Sequence, residues 1–478
     1  MPLILASNSA SGGYNVANSL RFNSGSSDNL SKVFASAETS NKIGTLSFWF
    51  KALAANQKYL VATSTATQFY LYFEPSSGIL WQNGATTTRI TSQVFRDPSA
   101  WYHLVVSFDT TQGTASNRQK MYLNGSEITA FSTSNDLSLN QVISFFDNDG
   151  SAKHIGSYTG GGYYDGYISE FYGIDGQALT PSSFGQTDPS VPSSGIWIPK
   201  AYTGSFGNNG FYLQFKNSAA LGTDSSGNGN TFTVNNLTSV DQSTDTPTNN
   251  FSTINSILPY NTTMVLTEGN LKGQTPTDHQ GKTGSFFSNF AMTKGKWYAE
   301  FKVDVEDTTM IGVSNNLNIN QQGSTASAFN FIYQPYGYGY FSTGVVYYNS
   351  SGTFVSFGNS YTNGDIIGVA LDLDNNKLYF SKNGTFQNGG VPTSGATGTG
   401  STEAAGATAL PAYDGSNPYF FAFCDFGSTN NTTVSANFGS PSFTIASGNA
   451  DGAGFGNFEY AVPAGYYSLC TKNLADYG

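Results

Sequence analysis

Three carboxylates, Glu300, Asp304 and Glu306, share strand parity in and just after the segment WYAEFKVDV. Residues two and four apart on a strand line one face. Two carboxyls about 5–10 Å apart, one with a raised pKa, are what glycoside hydrolysis needs. The same alternation sets these three opposite Trp297, Ala299, Phe301 and Val303. Glu300 and Asp304 are therefore expected on a wet face, titrating as exposed carboxylates, and no catalytic residue is assigned. The loop DSSGNGN offers Asp224, Asn228 and Asn230 around glycine bends. These are hard oxygen donors of the kind Ca²⁺ takes. A turn held by Asx hydrogen bonds is the competing reading. The histidines His103, His154 and His279 have no paired ligand spacing, and His103 falls in the outward row of a strand. No G-x-S-x-G or H-E-x-x-H occurs, and Gly160-Gly161-Gly162 leads into no helix. Nucleophile, zincin and phosphate-cradle chemistry thus lack their motifs.

Tyrosines are the remaining chemistry. SYTGGGYYDGY gathers Tyr158, Tyr163 and Tyr164 about a glycine loop, and YQPYGYGYF gathers Tyr333, Tyr336, Tyr338 and Tyr340. Rigid amphipathic rings on loops suit recognition and stack on sugars. Packing at the edge of a sandwich would use the same residues.

The elements that must carry these side chains read as strands. Leu46, Phe48 and Phe50 alternate with Ser47, Trp49 and Lys51; Leu104, Val106 and Phe108 share a face; Val369, Leu371 and Leu373 alternate with Ala370, Asp372 and Asp374. Period 2 marks half-buried antiparallel strands. Asn124-Gly125 and Asn383-Gly384 sit in strand context, where Asn-Gly predicts a type I′ hairpin. No long segment has a 3.6 period, so helices are expected as single turns, as near Thr180–Phe184. Alternation fails across residues 188–259, where Pro, Ser, Thr and Asn predict a connector with one strand in GFYLQF. SGATGTGSTEAAG, residues 394–406, predicts a mobile glycine loop.

With 478 residues, the chain exceeds the roughly 250–300 that one core usually reaches, so at least two domains are needed. Charged residues are only 11% and aromatics 15%, which favours strands over helices. Net charge is −11 with no basic stripe, so nucleic acid is not an expected partner. No apolar run approaches the ~20 residues of a membrane helix. MPLILASNSASGG lacks a basic n-region and a signal-length apolar core. Its Leu3-Ile4-Leu5 patch reads either as a docking peptide or as an end strand. Cys424 and Cys470 are expected as buried thiols.

SLRFNSGSSDNL, GTLSFWFKA, WYHLVVSFDTT, KMYLNGSEITAF and the closing GYISEF segment resemble, in that order, the LamG-like jellyroll family. GKWYAEFKV, IGVSNN, NGDIIGVALDLDNNKLYFSKNG and SANFG resemble the SPRY family. The first resemblance implies frequent calcium binding, at a family site too variable to map onto single residues here. The pairing, with its polar bridge, is similar to structural proteins of marine tailed bacteriophages.

The expected fold is all-β: two concanavalin-like antiparallel β-sandwich (jellyroll) domains joined by an extended connector. The expected division is a docking segment at residues 1–13, a LamG-like domain at 14–187, a connector at 188–259 and a SPRY-like domain at 260–478. The resemblance implies a non-enzymatic virion protein, a tail or head fibre, made in the host cytoplasm without a signal peptide. Its expected partners are other virion proteins through the N-terminus, host-surface glycan or protein through the tyrosines, and its own copies as a trimer. Neither nucleic acid nor membrane is expected. No cofactor is expected beyond Ca²⁺ at Asp224, Asn228 and Asn230. A capsid decoration protein and a glycan hydrolase are the rival readings.

Overall fold

The computed structural model describes residues 13–53, 58–64, 69–74, 78–84, 86–159, 161–190, 192–258, 264–276, 285–315, 331, 336–348, 354–427 and 430–478. The docking segment (but for Gly13), His279 and Tyr333 lie outside them. One compact unit ends at Asn250 and the next begins at Phe251.

The first unit is a sandwich of two sheets. Ile43–Ala52 lies between Tyr102–Asp109 and Gly166–Asp175 at the centre of one, and Phe69–Glu74 lies between Lys58–Thr63 and Gly78–Asn83 in the other. Leu46, Phe48 and Phe50 point into the core with Leu104, Val106 and Phe108, as their alternation predicts. Phe48 stacks on Phe171 with centroids 4.7 Å apart. Asn124 and Gly125 both take positive φ, as do Asn383 and Gly384 in the second unit, so both predicted hairpins form.

The connector does not exist as such. Phe211–Leu213 pairs with Gly166–Asp175, Gln242–Ser243 pairs with Ser19–Phe22, and Thr233–Asn235 extends the other sheet beside Asn29–Lys32. Phe211, Leu213, Phe215, Leu221 and Phe232 belong to the main core of this unit. The domain therefore runs through 188–250, not to 187. Strands of two or three residues are too short to show a period. The Asn, Asp and Thr that read as linker are hydrogen-bonding into the fold. Thr238 and Asp241 form a capping box, each satisfying an N–H of the turn between them. Asn209 Nδ2 donates to Ser36 O and Phe146 O, both at 2.8 Å.

This segment roofs the outward row of the first sheet. Lys51 meets Asp245 at 2.7 Å and Arg21 meets Asp241 at 3.1 Å. Ser47, Trp49 and His103, predicted outward, are buried beneath it.

The second unit repeats the device. Lys296–Val305 lies between Ile366–Asp372 and Thr433–Asn437, and the facing sheet centres on Thr309–Ser314 and Phe420–Asp425. Trp297, Ala299, Phe301 and Val303 face the core. Their outward neighbours are covered by the C-terminal stretch, where Phe458 and Tyr466 pack on Tyr298, Ala370 and Tyr379. Residues 394–406 are not a free loop: Thr402 N–H donates to Leu378 O at 3.0 Å, and Glu403 pairs with Lys377. Cys424 and Cys470 are free, buried thiols. The 3-10 turn Pro181–Ser183 and the seven-residue helix Thr471–Tyr477 are short, as the absence of a 3.6 period implies.

Candidate functional site

In the strand Phe69–Glu74, Phe69, Leu71 and Phe73 enter the core, so Tyr70 and Tyr72 stand on the outer face. Tyr59 joins them because the register of Lys58–Thr63 shifts: Tyr59 faces Tyr72, yet Val61 faces Leu71. The extra residue of such a bulge re-aims its neighbours, so Leu60 and Val61 both enter the core while Tyr59 stays outside. Tyr158 comes from a different loop, closed by its own N–H to Gly161 O at 3.0 Å. Gly162 allows the close approach, since a Cβ there would lie 2.4 Å from the Tyr59 ring.

The four rings form one cluster. Tyr59 is 5.4 Å from Tyr70, 5.1 Å from Tyr72 and 5.4 Å from Tyr158. Tyr158 meets Tyr70 edge-on at 5.3 Å. Leu80 and Ile90 flank them. Tyr70 and Tyr72 are only 6% and 9% exposed, so Tyr59 and Tyr158, both half-buried, offer the accessible ring surface. Burial raises the pKa of Tyr59 and Tyr70, and neighbouring phenols raise both further. These hydroxyls are uncharged donors at physiological pH. A pre-packed aromatic face with phenol hydroxyls can stack on a sugar ring or an apolar side chain and hydrogen-bond at its margin.

Comparison with known proteins identifies the two sandwiches. Residues 23–183 match the family described as the concanavalin A-like lectin/glucanases superfamily, and residues 296–403 match the SPRY domain. The chain carries a LamG-like concanavalin-fold domain and a SPRY domain. Similar solved structures include the SPRY domain of human HERC1, at 18% identity and TM-score 0.23, covering 35% of this chain and 87% of that one. Stonustoxin follows at 17% and 0.26, covering 39% of this chain and 27% of its own. A heptameric SAP-like pentraxin from Limulus polyphemus stands at 17% and 0.27, covering 35% and 80%. No curated protein matches the chain. The lectin-superfamily match stops at residue 183, whereas the LamG-like unit continues to Asn250.

The structure does not assemble the six predicted tyrosines into one site. Tyr158 alone belongs to the face. Tyr163 is half-buried beside it in sequence, and Tyr164 is buried, its hydroxyl donating to Lys51 O at 2.9 Å. In the SPRY domain Tyr338 and Tyr340 are core residues, with hydroxyls donating to Ala409 O and Asn359 O. YQPYGYGYF reads as a loop because of its glycines, but Gly337–Phe341 is a strand whose two tyrosines point inward. Tyr336, at φ 68°, is 38% exposed and remains outside that strand.

The three predicted calcium ligands are engaged within the LamG-like domain itself. Asp224 accepts from the N–H groups of Tyr212, Ser226 and Asn230 and from Ser226 Oγ. Asn228 Nδ2 donates to the Gly207 and Gly210 carbonyls. Asn230 Nδ2 donates to the Asn208 carbonyl at 3.1 Å and to the Gly210 carbonyl at 2.9 Å. The carboxylate is spent on N–H and O–H donors, and the two side-chain amides are held by carbonyls. The loop is an Asx-held turn.

Glu300 is the largest departure from expectation. It is fully buried, accepting from the N–H groups of Glu459 and Tyr460, from Tyr298 Oη and from Asn437 Nδ2. Burial pushes its pKa up to about 7 against the pull of those four donors. Asp304 stays near the surface and accepts from Ser435 Oγ at 2.6 Å. The two do not form a catalytic pair. In the LamG-like domain, burial and then the Glu38 charge push Asp147 up to about 7. Tyr59, Tyr70 and Tyr72 are absent from the sequence-based assignment. The alternation in FYLYFE, with two tyrosines in the outward row, is the signal that marks Tyr70 and Tyr72, whereas Tyr59 joins them through a register shift that no local pattern shows.

Proposed function

We propose that this chain is a non-catalytic recognition protein of a tailed-phage virion, a tail or head fibre whose LamG-like domain contacts host-surface glycan or protein. The observation that carries this reading is the packed face of Tyr59, Tyr70, Tyr72 and Tyr158, neutral and aromatic on an otherwise polar, acidic chain. The two domain kinds fit a binding role. The virion setting rests on the resemblance of their pairing, and with it come docking through residues 1–13 and trimer formation. Among the described residues no helix is long and apolar enough to cross a membrane.

Binding of the labelled protein to host cells or to their extracted polysaccharide tests the reading. Losing one ring contact of about 0.5–1.5 kcal/mol weakens binding by about 2- to 13-fold. Tyr59→Ala and Tyr158→Ala are expected to lower affinity to that extent each. Wild-type binding by both variants, or none by the native protein, would reject the tyrosine face and leave a decoration role. Release of reducing ends from the polysaccharide, abolished by Asp147→Asn or Glu300→Gln, would reject the non-catalytic reading.

A further inference from the structure

Where residues 188–250 cross the first sheet of the LamG-like domain, a cavity of about 280 Å³ remains, lined among others by Trp49, Trp101, Trp197, Asn124, Gly195 and Pro247. Three of the chain's five tryptophans meet there. Their positions are held from behind. Trp197 Nε1 donates to His103 Nδ1 at 2.9 Å, and the His103 ring lies nearly parallel to Trp49 at 4.8 Å. Trp101 Nε1 donates to Asp245 at 3.0 Å, with Tyr167 packed at 6.2 Å. Gly185 admits the Trp197 ring, since a Cβ there would come within 2.5 Å of it. Trp49 and Trp101 are each 4% exposed, and Trp197 is half-buried.

The recess carries no charge toward a ligand. None of its lining residues is ionisable. Lys51 and Asp245 beneath it are paired with each other. Burial drops the His103 pKa to about 3, which keeps that ring neutral. Polar capacity is nonetheless left over. Among the described residues, the Gly195 C=O and the Asn124 side-chain amide nitrogen have no hydrogen-bond partner within the protein. The volume is just below the roughly 300–1,000 Å³ of sites for larger small molecules, which suits one six-membered ring.

We infer that this tryptophan recess is a second binding site, taking a single neutral pyranose ring such as the end residue of a glycan. The Trp197 indole, the accessible one of the three, matches the C–H face of the sugar, and the Gly195 carbonyl and the Asn124 amide match its hydroxyl rim. A proline-rich peptide would satisfy the walls and offer carbonyls to the Asn124 amide, but it brings no N–H or O–H donor for the Gly195 carbonyl. An acidic sugar or an ammonium would find no counter-charge. The site is separate from the tyrosine face and stands or falls independently of it.

Intrinsic tryptophan emission of the full chain reads the site directly, because Trp81 and Trp297, the two outside it, are fully buried. The probes are methyl glucoside, methyl galactoside, methyl mannoside and N-acetylglucosamine, against glucuronic acid, N-acetylneuraminic acid and a proline hexapeptide. A saturable change is expected with at least one neutral pyranoside, in the millimolar range. Trp197→Ala should weaken it at least tenfold. Ser194→Phe, at the exposed mouth, should abolish it without altering the melting temperature, which keeps the test valid if the tryptophan variant misfolds. Tyr59→Ala should leave it unchanged. No saturable change with any neutral pyranoside, a change retained in Ser194→Phe, or binding confined to the acidic sugars or the peptide would overturn the inference.

Discussion

Asp245 closes the roof of the LamG-like domain, and removing it should expose how much that roof contributes. Its carboxylate lies 2.7 Å from Lys51 Nζ, with side-chain exposures of 1% and 0%. It also accepts from Trp101 Nε1 at 3.0 Å. In Asp245→Ala the Lys51 ammonium keeps Asn250 Oδ1, at 2.8 Å, as a neutral acceptor. Breaking a buried ion pair from one side costs about 3–5 kcal/mol, and the lost indole hydrogen bond adds about 1 kcal/mol. A domain of this size shifts by about 2–4 °C per kcal/mol, so its melting transition should fall by roughly 8–24 °C. The double variant Lys51→Met/Asp245→Leu removes both charges and should recover much of that loss, because apolar replacement of a buried pair is often neutral. Differential scanning calorimetry of the full chain measures both, with the SPRY transition as internal reference. A fall of less than about 1 kcal/mol, or a double variant no better than the single one, would refute a sealed ion pair under residues 188–250.

Two further outcomes follow from the roofed faces. Limited proteolysis should spare residues 188–250, because their backbone is paired into both sheets and paired backbone resists nicking; early fragments ending near Thr187 would show that the segment is a linker after all. In the SPRY domain, Glu300 rises from 4.5 to about 7 on burial, so folding favours its protonated form. That contribution is complete below about pH 4.5 and is lost as pH rises through about 7, by at most about 3 kcal/mol. Denaturant titrations at about pH 5 and about pH 8 should show the SPRY transition weaker at the higher pH, and Glu300→Ala should remove that difference. An unchanged pH dependence in the variant would assign it to another group.

The alternation of Leu46, Phe48 and Phe50, and of Trp297, Phe301 and Val303, was enough to place both cores. The Asn-Gly pairs were enough to place two hairpins. These features are local: a period of two and a positive φ are properties of a few consecutive residues. The opposite faces were not legible. Lys51 and Glu300 occupy outward rows, and a charged residue there reads as wet unless a remote partner arrives. The partners are Asp245 and the backbone of Tyr460, 194 and 160 residues further along. The tyrosine face joins Tyr59, Tyr70 and Tyr72 to Tyr158 from a separate loop, and the recess joins Trp49 and Trp101 to Trp197. The sequence by itself determined which residues of the long central strands enter each core, because burial of one strand face is written in adjacent side chains; Phe211, Leu213, Tyr338 and Tyr340, in short or glycine-interrupted strands, were placed in the cores by tertiary pairing. The path of the covering segments decided which outer faces stay open to a ligand, because that depends on pairing between residues far apart in the chain.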